Sequence, residues 1–239
     1  MFMAYEADTR SKWYPYHKIY EGYFDLKHTV EIPRKIMDYI LDMPNGNYAP
    51  PDDNDYPRAR LWKYLYYDGA HPLDQPLPTP AQKMSVLFNP DDPTRPPDPA
   101  KGFRLIPQLF IKPAQTDAQT RIYVYLGNTL ADNDFTVQMS VVFDIWTHYT
   151  EEANTHSEAY SRALAISQAL LETFHGVNID GVGSFYFNRT KHSSCGERVF
   201  DDGDSNVGRR LVMGLEIKSV TRNDGEPFNG QKIGNGYFG

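Results

Sequence analysis

The segment FTVQMSVVFDIW, residues 135–146, alternates two sets of side chains along its whole length. One set is apolar throughout and the other is mostly polar: Phe135, Val137, Met139, Val141, Phe143 and Ile145 against Thr136, Gln138, Ser140, Val142 and Asp144. Successive side chains of a β-strand point to opposite faces of the sheet. A period of two over this length therefore predicts a long strand with one buried face and one mostly wet face.

Further strands are predicted on both sides of this segment. Residues 121–126 alternate in the same way, and the polar stretch GNTLADND, residues 127–134, predicts the turn between the two strands. Later in the chain, residues 182–187 and 211–217 predict two more strands. The polar stretch between these two, residues 191–206, predicts a long irregular excursion.

A helix is predicted between the two pairs of strands. Residues 157–174 carry apolar side chains at helical spacing, either Thr155 or Ser157 can cap the start, and Gly176 can end it. This order predicts the α+β fold class, with an antiparallel sheet and a helix packed on one face. The other face is predicted to be solvated or to contact a neighbour, and it carries Gln138, Ser140, Asp144, Trp146 and His148.

Composition changes along the chain and predicts three parts. Of the 17 tyrosines, 11 lie at or before Tyr67, and 11 of the 18 prolines lie between residues 72 and 113. Residues 1–101 are therefore predicted to be an aromatic- and proline-rich N-terminal extension and connector. Residues 102–220 would form the α+β core, and residues 221–239 a C-terminal tail.

Two short helices are predicted within the extension, followed by short strands. The helices are expected at residues 31–43, with a proline in the first turn, and at residues 55–67, with Asp55 as N-cap. The segment KMSVLF, residues 83–88, predicts a short strand. A second apolar run at residues 103–111 contains a proline, which indicates a sheet edge or a bulge.

Composition also limits the classes of function. The net charge is −7 and no run of Lys and Arg is present, which disfavours sequence-specific binding to duplex DNA. The single cysteine, Cys195, excludes an intramolecular disulfide and favours a reducing compartment. Glu6 and Asp8 are not typical of a signal peptide. We expect no membrane span, because no run of about 18 apolar residues occurs.

The segment HYTEEANTH, residues 148–156, is the strongest candidate for metal binding. On a helix, His148, Glu152 and His156 would share one face, which suits a divalent cation. The order of these residues does not match the HExxH motif, and acidic residues before a helix are expected from the helix dipole alone. A metal-dependent hydrolase that uses this cluster is therefore the alternative function, while the sequence favours no metal site.

Other stretches resemble sites but lack the required spacing. DDGDSN, residues 201–206, lacks the spacing and the distal glutamate of a calcium loop. Cys195 has His192 nearby but no identifiable third group to orient a nucleophile, and GVGS, residues 181–184, matches neither a GxSxG motif nor a phosphate loop. We therefore predict no catalytic, cofactor-binding or metal-binding residue, no cofactor, and a protein that is not an enzyme.

The aromatic residues of the extension allow several interpretations. They could form a small core, or a docking surface, since Tyr and Trp are enriched at interfaces. A carbohydrate-binding module would instead use Trp13, Trp62 and the tyrosines as an exposed platform.

The order of elements in residues 121–220 resembles the tail terminator proteins of long-tailed bacteriophages, also described as tail-completion or head–tail joining proteins. The strand pair RIYVYLGNTLADNDFTVQMSVVFDIW, the helix SEAYSRALAISQALLETF and the strands GVGSFYF and RRLVMGLEI carry this resemblance. It implies an α+β subunit that forms a hexameric ring, caps the tail tube and joins it to the head connector. Genomic DNA would pass through the lumen.

The resemblance also implies partners and a location. The partners would be further copies of the chain, the tail tube protein and the head–tail connector protein, in the virion, after assembly in the host cytoplasm. A ring needs interfaces that close by rotation, which exposed strand edges can supply. The negative net charge fits a conduit that does not hold DNA. Residues 1–101 make the chain longer than typical members of this family. A connector adaptor, a collar protein or a tube-like subunit is therefore an alternative neck component.

Overall fold

The computed structural model describes residues 26–41, 52–89, 92, 94–107, 118–133, 136–154, 161–179, 182–201, 203 and 205–218. Within these residues the α-helices are α1 (Leu26–Leu41), α2 (Pro57–Tyr66), α3 (Pro80–Ser85), α4 (Tyr149–Asn154) and α5 (Arg162–Phe174). The strands are β1 (Leu105–Ile106), β2 (Thr120–Asn133), β3 (Thr136–His148), β4 (Asn178–Ile179), β5 (Gly183–Tyr186), β6 (Gly196–Asp201) and β7 (Asn206–Lys218). None of the helices in these ranges is long and apolar enough to cross a membrane.

The seven strands form one sheet around the long strand β3. β3 pairs antiparallel with β2 on one side and with β7 on the other, and β1 adds a short parallel strand beside β2. The second side of β7 is shared, since β6 pairs with its first half and β5 with its second half, and β4 lies beyond β5. The predicted α+β fold class is confirmed.

One face of the sheet is buried under helices α1, α2 and α5, and we call it the inner face. The ring of Phe174 in α5 lies 5.4 Å from Phe143 of β3, 4.9 Å from Phe185 of β5 and 5.5 Å from Tyr39 of α1. Burial of such a side chain stabilises the fold by roughly 1.5–3 kcal/mol before the entropy loss is counted.

The three-part division of the chain stays a prediction, and its boundary at residue 101 falls between helices and strands that share this core.

Both helices predicted in the extension are present, with different ends. α1 begins at Leu26, earlier than predicted, and contains Pro33 in its interior. α2 begins at Pro57, and its N-cap residue is Tyr56 rather than Asp55. A proline at the first helical position already has its backbone angle set for the helix, so it fixes the start there.

The strand predicted at residues 83–88 is wrong, because its first residues belong to α3. Thr79 and Gln82 form a capping box at the start of this helix: the Gln82 amide donates to Thr79 Oγ1 at 3.3 Å, and the Thr79 amide donates to Gln82 Oε1 at 2.8 Å. Only an isolated bridge between Leu87 and Leu105 is strand-like there. The apolar run at residues 103–111 supplies β1 at the edge of the sheet, as predicted, and its residues 108–111 lie outside the described ranges.

The turn predicted at residues 127–134 is also wrong, because β2 continues to Asn133. The pairing with β3 shifts between Leu126 and Thr129, so the polar residues form a β-bulge inside the strand. A Cβ atom at Gly127 would lie 2.5 Å from Ser140 Oγ, so glycine allows the two strands to approach closely at the bulge.

The predicted central helix is present as α5, but its start differs. Ser161 caps it, and Ser161 Oγ accepts from the amide of Leu164 at 3.1 Å. The predicted caps Thr155 and Ser157 lie outside the described residues. The helix ends before Gly176, which has a φ of +78°, as expected for a glycine that terminates a helix.

The stretch at residues 191–206 contains one strand that the sequence pattern does not reveal. β6, with the sequence GERVFD, pairs along six residues with β7. Three of its six residues are charged and four are exposed, so the hydrophobic alternation of a half-buried strand is absent. The strands predicted at residues 182–187 and 211–217 are present as β5 and as part of the longer β7.

Candidate functional site

The face of the sheet turned away from the helices carries its side chains in rows across the strands, and we call it the outer face. Tyr123, Asp144, Arg210 and Arg198 form one row across β2, β3, β7 and β6. The adjacent row consists of Arg121, Trp146, Gly208 and Phe200. All five residues predicted to be solvated or in contact with a neighbour on this face are at least partly buried: Ser140 and Asp144 are buried, and Gln138, Trp146 and His148 are partly buried.

Asp144 is at the centre of the first row, and its charge is paired within the sheet. Arg210 Nε and Nη2 donate to the two carboxylate oxygens at 2.5 Å each, and the Tyr125 hydroxyl donates to Oδ2 at 2.8 Å. Burial, together with the hydrogen bond to Asp144, raises the pKa of Tyr125. Because the carboxylate accepts three hydrogen bonds, it fixes the alignment of three strands and is not available as a general base.

Two glycines of β7 make room on the outer face for aromatic rings. A Cβ atom at Gly208 would lie 2.3 Å from the ring of Phe200, and one at Gly214 would lie 2.2 Å from the ring of Tyr186. Phe200 also packs edge-on against Trp146 at 4.6 Å between ring centroids. The short strands β5 and β6 are therefore anchored on β7 by aromatic side chains as well as by backbone pairing.

The loop between β5 and β6 closes on itself and buries His192 and Cys195. His192 Nδ1 accepts from the Ser194 amide at 3.2 Å, and the Cys195 thiol donates to the Tyr186 carbonyl at 3.8 Å. His192 Nε2 is buried and has no hydrogen-bond partner among the described residues. The structure thus brings His192 and Cys195 into one loop, where the Cys195 amide donates to the His192 carbonyl at 3.0 Å. Their side chains, however, form hydrogen bonds to the backbone and not to each other.

The buried imidazole of His192 is expected to make the protein sensitive to acid. Burial lowers the pKa of His192, so the unfolded chain binds a proton more readily than the folded chain. The associated stability is fully present above the ordinary histidine pKa of about 6.5 and is lost as the pH falls towards the lower folded value. We expect His192→Gln to reduce the loss of stability between pH 7 and pH 5, measured by urea denaturation.

The control for this experiment is His71→Gln, since His71 is exposed. Its pH dependence should match that of the unsubstituted protein. An unchanged acid sensitivity in His192→Gln would show that His192 does not carry the effect.

The described residues do not assemble the metal cluster that the alternative function requires. His148 ends β3, and its Nδ1 accepts from the Thr150 amide at 3.3 Å. Glu152 accepts from the Ala163 amide at 3.1 Å and so binds the start of α5. His156 lies outside the described residues, and within them no group of three His, Cys, Asp or Glu side chains is placed to hold a metal ion.

The acidic stretch at residues 201–206 begins at the last residue of β6 and ends at the first residue of β7, and its residues 202 and 204 lie outside the described ranges. Asp201 Oδ1 accepts from the Gly203 amide at 2.9 Å, and Gly203 has a φ of +77°. Both are common features of tight turns. The alternative of a carbohydrate-binding platform relies on Trp62 and Trp13. Trp62 is buried in the core and its Nε1 donates to the Ile40 carbonyl at 2.8 Å, while Trp13 lies outside the described residues. Trp62 therefore cannot serve as an exposed binding surface.

Sequence reasoning missed a buried arginine that holds the end of α2. Arg162 has no exposed surface, and its guanidinium donates to the carbonyls of Tyr64 at 3.3 Å, Tyr67 at 2.8 Å and Gly69. It also pairs with the buried Glu151 at 3.3 Å. Positive charge at a helix C-terminus is favourable, and the carbonyls there have no partner within the helix.

Two further cations lie at the same helix end. Arg104 donates to both carboxylate oxygens of Asp68 at 2.9 Å, and Lys101 Nζ donates to the Tyr66 carbonyl at 2.9 Å. These residues and Arg162 are far apart in the sequence, so no spacing pattern could have shown that they meet.

Two edges of the sheet have no strand partner within the described part of the chain. β6 pairs only with β7, so its other edge has no partner among the described strands, and the side chain of Val199, which projects from the inner face, is 65% exposed. β1 covers β2 only at Ile122 and Tyr123, so the edge of β2 from Val124 onward is not paired by a described strand. Such edges carry unsatisfied N–H and C=O groups that can pair with another chain.

Comparison with known proteins identifies a family that the chain matches. The model of a family named YomW matches residues 59–214, from α2 to β7 and over more than half of the chain. No curated protein sequence matches. The gene-style name of the family points to a phage-encoded protein, which agrees with the phage part of the resemblance and does not bear on tail termination in particular.

Proposed function

The chain belongs to the YomW family, and we propose that it is a structural virion protein of a bacteriophage neck or tail. In this proposal it forms a ring, hexameric as the resemblance implies, that caps the tail tube and joins it to the head connector. Genomic DNA passes through the lumen without specific binding. Its partners are further copies of itself, the tail tube protein and the connector protein, and it is not an enzyme.

The observation that carries this proposal is the pair of unpaired sheet edges, on β6 and on β2. Each copy in a ring must present two different surfaces, one to each neighbour, and the contact must close by rotation. The two edges lie on opposite sides of one continuous sheet in the described residues. A subunit with two such edges can therefore contact two neighbours at once.

Two further features support a mechanical role. Charged side chains are paired with each other both on the outer face and at the end of α2. Asp144 pairs with Arg210 on the outer face, and Arg104 pairs with Asp68 at the helix end. Groups held in this way stiffen a subunit. The net charge of −7 limits attraction to DNA phosphates, which suits passage of DNA through a lumen.

The proposal is tested by the mass of the assembled protein and by its place in the particle. At about 100 µM we expect multi-angle light scattering to give a ring of several copies, up to six times the 27.4 kDa of one chain for a hexamer. Antibodies raised against the protein should label the neck of the phage particles in electron micrographs. A monomer under these conditions, together with particles that are not labelled at the neck, would rule the proposal out.

A further inference from the structure

We propose that the open edge of β6 in one copy pairs, strand against strand, with the open edge of β2 in a second copy. One sheet would then continue from subunit to subunit. This inference rests on the proposed ring, and it specifies which two strand edges form the contact between neighbouring subunits.

The β6 edge has the properties of a strand that accepts a partner. Its six residues pair with β7 without a register shift, and they contain no proline. Proline and bulges are two means by which edge strands are protected from other chains, and β6 has neither; of a third means, charged side chains, it carries Glu197, Arg198 and Asp201. Val199, in the middle of β6, is 65% exposed, and among the large apolar side chains of the described residues only Tyr149 is comparably exposed.

The β2 edge complements β6 in its chemistry. Between Val124 and Asn133 the only charged residue is Asp132, so the charges of β6 meet few like charges there. The strand register places Val199 on the inner face, in one row with Arg209 and Ile145. The β2 residues on that face include Leu126 and Thr129, which lie opposite Val141 and Met139 of β3.

Pairing between these edges therefore places Val199 beside the apolar residues of a neighbouring inner face. Contact of this kind removes an exposed apolar side chain from water while the backbone groups of both edges become paired. The same pairing is head-to-tail, because it joins two different edges.

Pairing of β6 with the β6 of a second copy is less favourable. An antiparallel arrangement centred on Val199 places Glu197 opposite Asp201, and one centred on Arg198 places this arginine opposite itself. Like charges directly opposite each other destabilise a strand pair. Self-pairing would also produce a two-fold dimer, which cannot continue into a ring.

Cysteine pairs test which edges meet. Cys195 is first replaced by serine, so that the full-length chain has no other thiol. In this background Val199→Cys is combined with Leu126→Cys or with Thr129→Cys, two positions on the same face of β2. After mild oxidation we expect at least one double variant to give a ladder of disulfide-linked multimers on a non-reducing gel, and the single variants to stay as single chains.

Two outcomes of this experiment would overturn the inference. A disulfide-linked dimer from Val199→Cys alone would show that β6 pairs with itself. The absence of a ladder from both double variants would show that the two edges do not meet.

The charge variant Val199→Asp separates this inference from the proposed function. Val199 is exposed, so the folded subunit should tolerate the substitution, and circular dichroism checks this directly. We expect the concentration for half assembly to rise at least tenfold, whereas the control Gln168→Asp, on the exposed side of α5, should leave it unchanged. If the unsubstituted protein and Val199→Asp form the same ring, the pairing of β6 with β2 is wrong, while the proposed ring is supported. If the unsubstituted protein stays a monomer and gives no ladder, both the pairing and the proposed ring are wrong.

Discussion

Replacement of Arg162 by methionine is expected to lower the free energy of unfolding by about 3–5 kcal/mol. Methionine has a similar length but donates no hydrogen bond. Glu151 would then keep its amide donor, Gly69 N at 2.7 Å, but lose its charge partner while still buried. The carbonyls of Tyr64 and Tyr67 would lose the same donor at the end of α2.

The measurement is the urea midpoint of the full-length protein, with Arg60→Met as the matched control. Arg60 is partly exposed, forms an ion pair with the exposed Glu172 and donates to the Asn54 carbonyl at 2.9 Å. An ion pair near the surface contributes up to about 1 kcal/mol and a single hydrogen bond about 0.5–1.5 kcal/mol, so the control should lower the midpoint less than Arg162→Met does. If the two substitutions lowered the midpoint equally, the burial of Arg162 would not be the reason for its contribution to the free energy of unfolding.

A double variant separates the lost hydrogen bonds from the unpaired charge. Glu151→Gln removes the negative charge and keeps an oxygen that can accept from Gly69. If the unpaired carboxylate causes most of the loss, Glu151→Gln in the Arg162→Met background should recover part of the stability. No recovery would assign the effect to the carbonyls of α2.

The fold class could be predicted because the dominant signals are local and periodic. The alternation along β3 and the helical spacing along α5 follow from burial of a single face, and both elements are present in the structure. The wrong prediction of a strand at residues 83–88 also has a local cause. The pair Thr79 and Gln82 is a capping box, and its sequence signature competes with the strand-like pattern of residues 83–88.

The interactions that hold the elements together could not be predicted in the same way. Arg162 meets carbonyls roughly 95 positions away, and the pairing of Asp144 with Arg210 spans 66 positions. Their side-chain types are common on protein surfaces, so only the folded register shows that they are buried. The unpaired edge of β6 was missed for another reason, since an exposed edge strand lacks the apolar alternation that marks a half-buried one.

Replacement of Gly183 by alanine is expected to destabilise the protein by about 2–6 kcal/mol, since backbone strain at positive φ and overpacking each cost about 1–3 kcal/mol. Gly183 has a φ of +127°, a backbone conformation that residues with a Cβ atom rarely adopt. An added Cβ atom would lie 2.4 Å from the carbonyl oxygen of Glu216 in β7. The obstacle is backbone in the next strand, so no side-chain rotation can relieve it.

Gly196→Ala is the matched control, because no atom lies within 4 Å of a Cβ atom built there. It lies at the start of β6, so both variants change a glycine in a strand beside β7. Hydrogen exchange identifies the site of damage. In Gly183→Ala we expect faster exchange in β5 and in residues 214–216 of β7, which pair with β5, while β3 keeps its protection. Equal stability of the two variants would show that β5 can shift away from β7 at little cost.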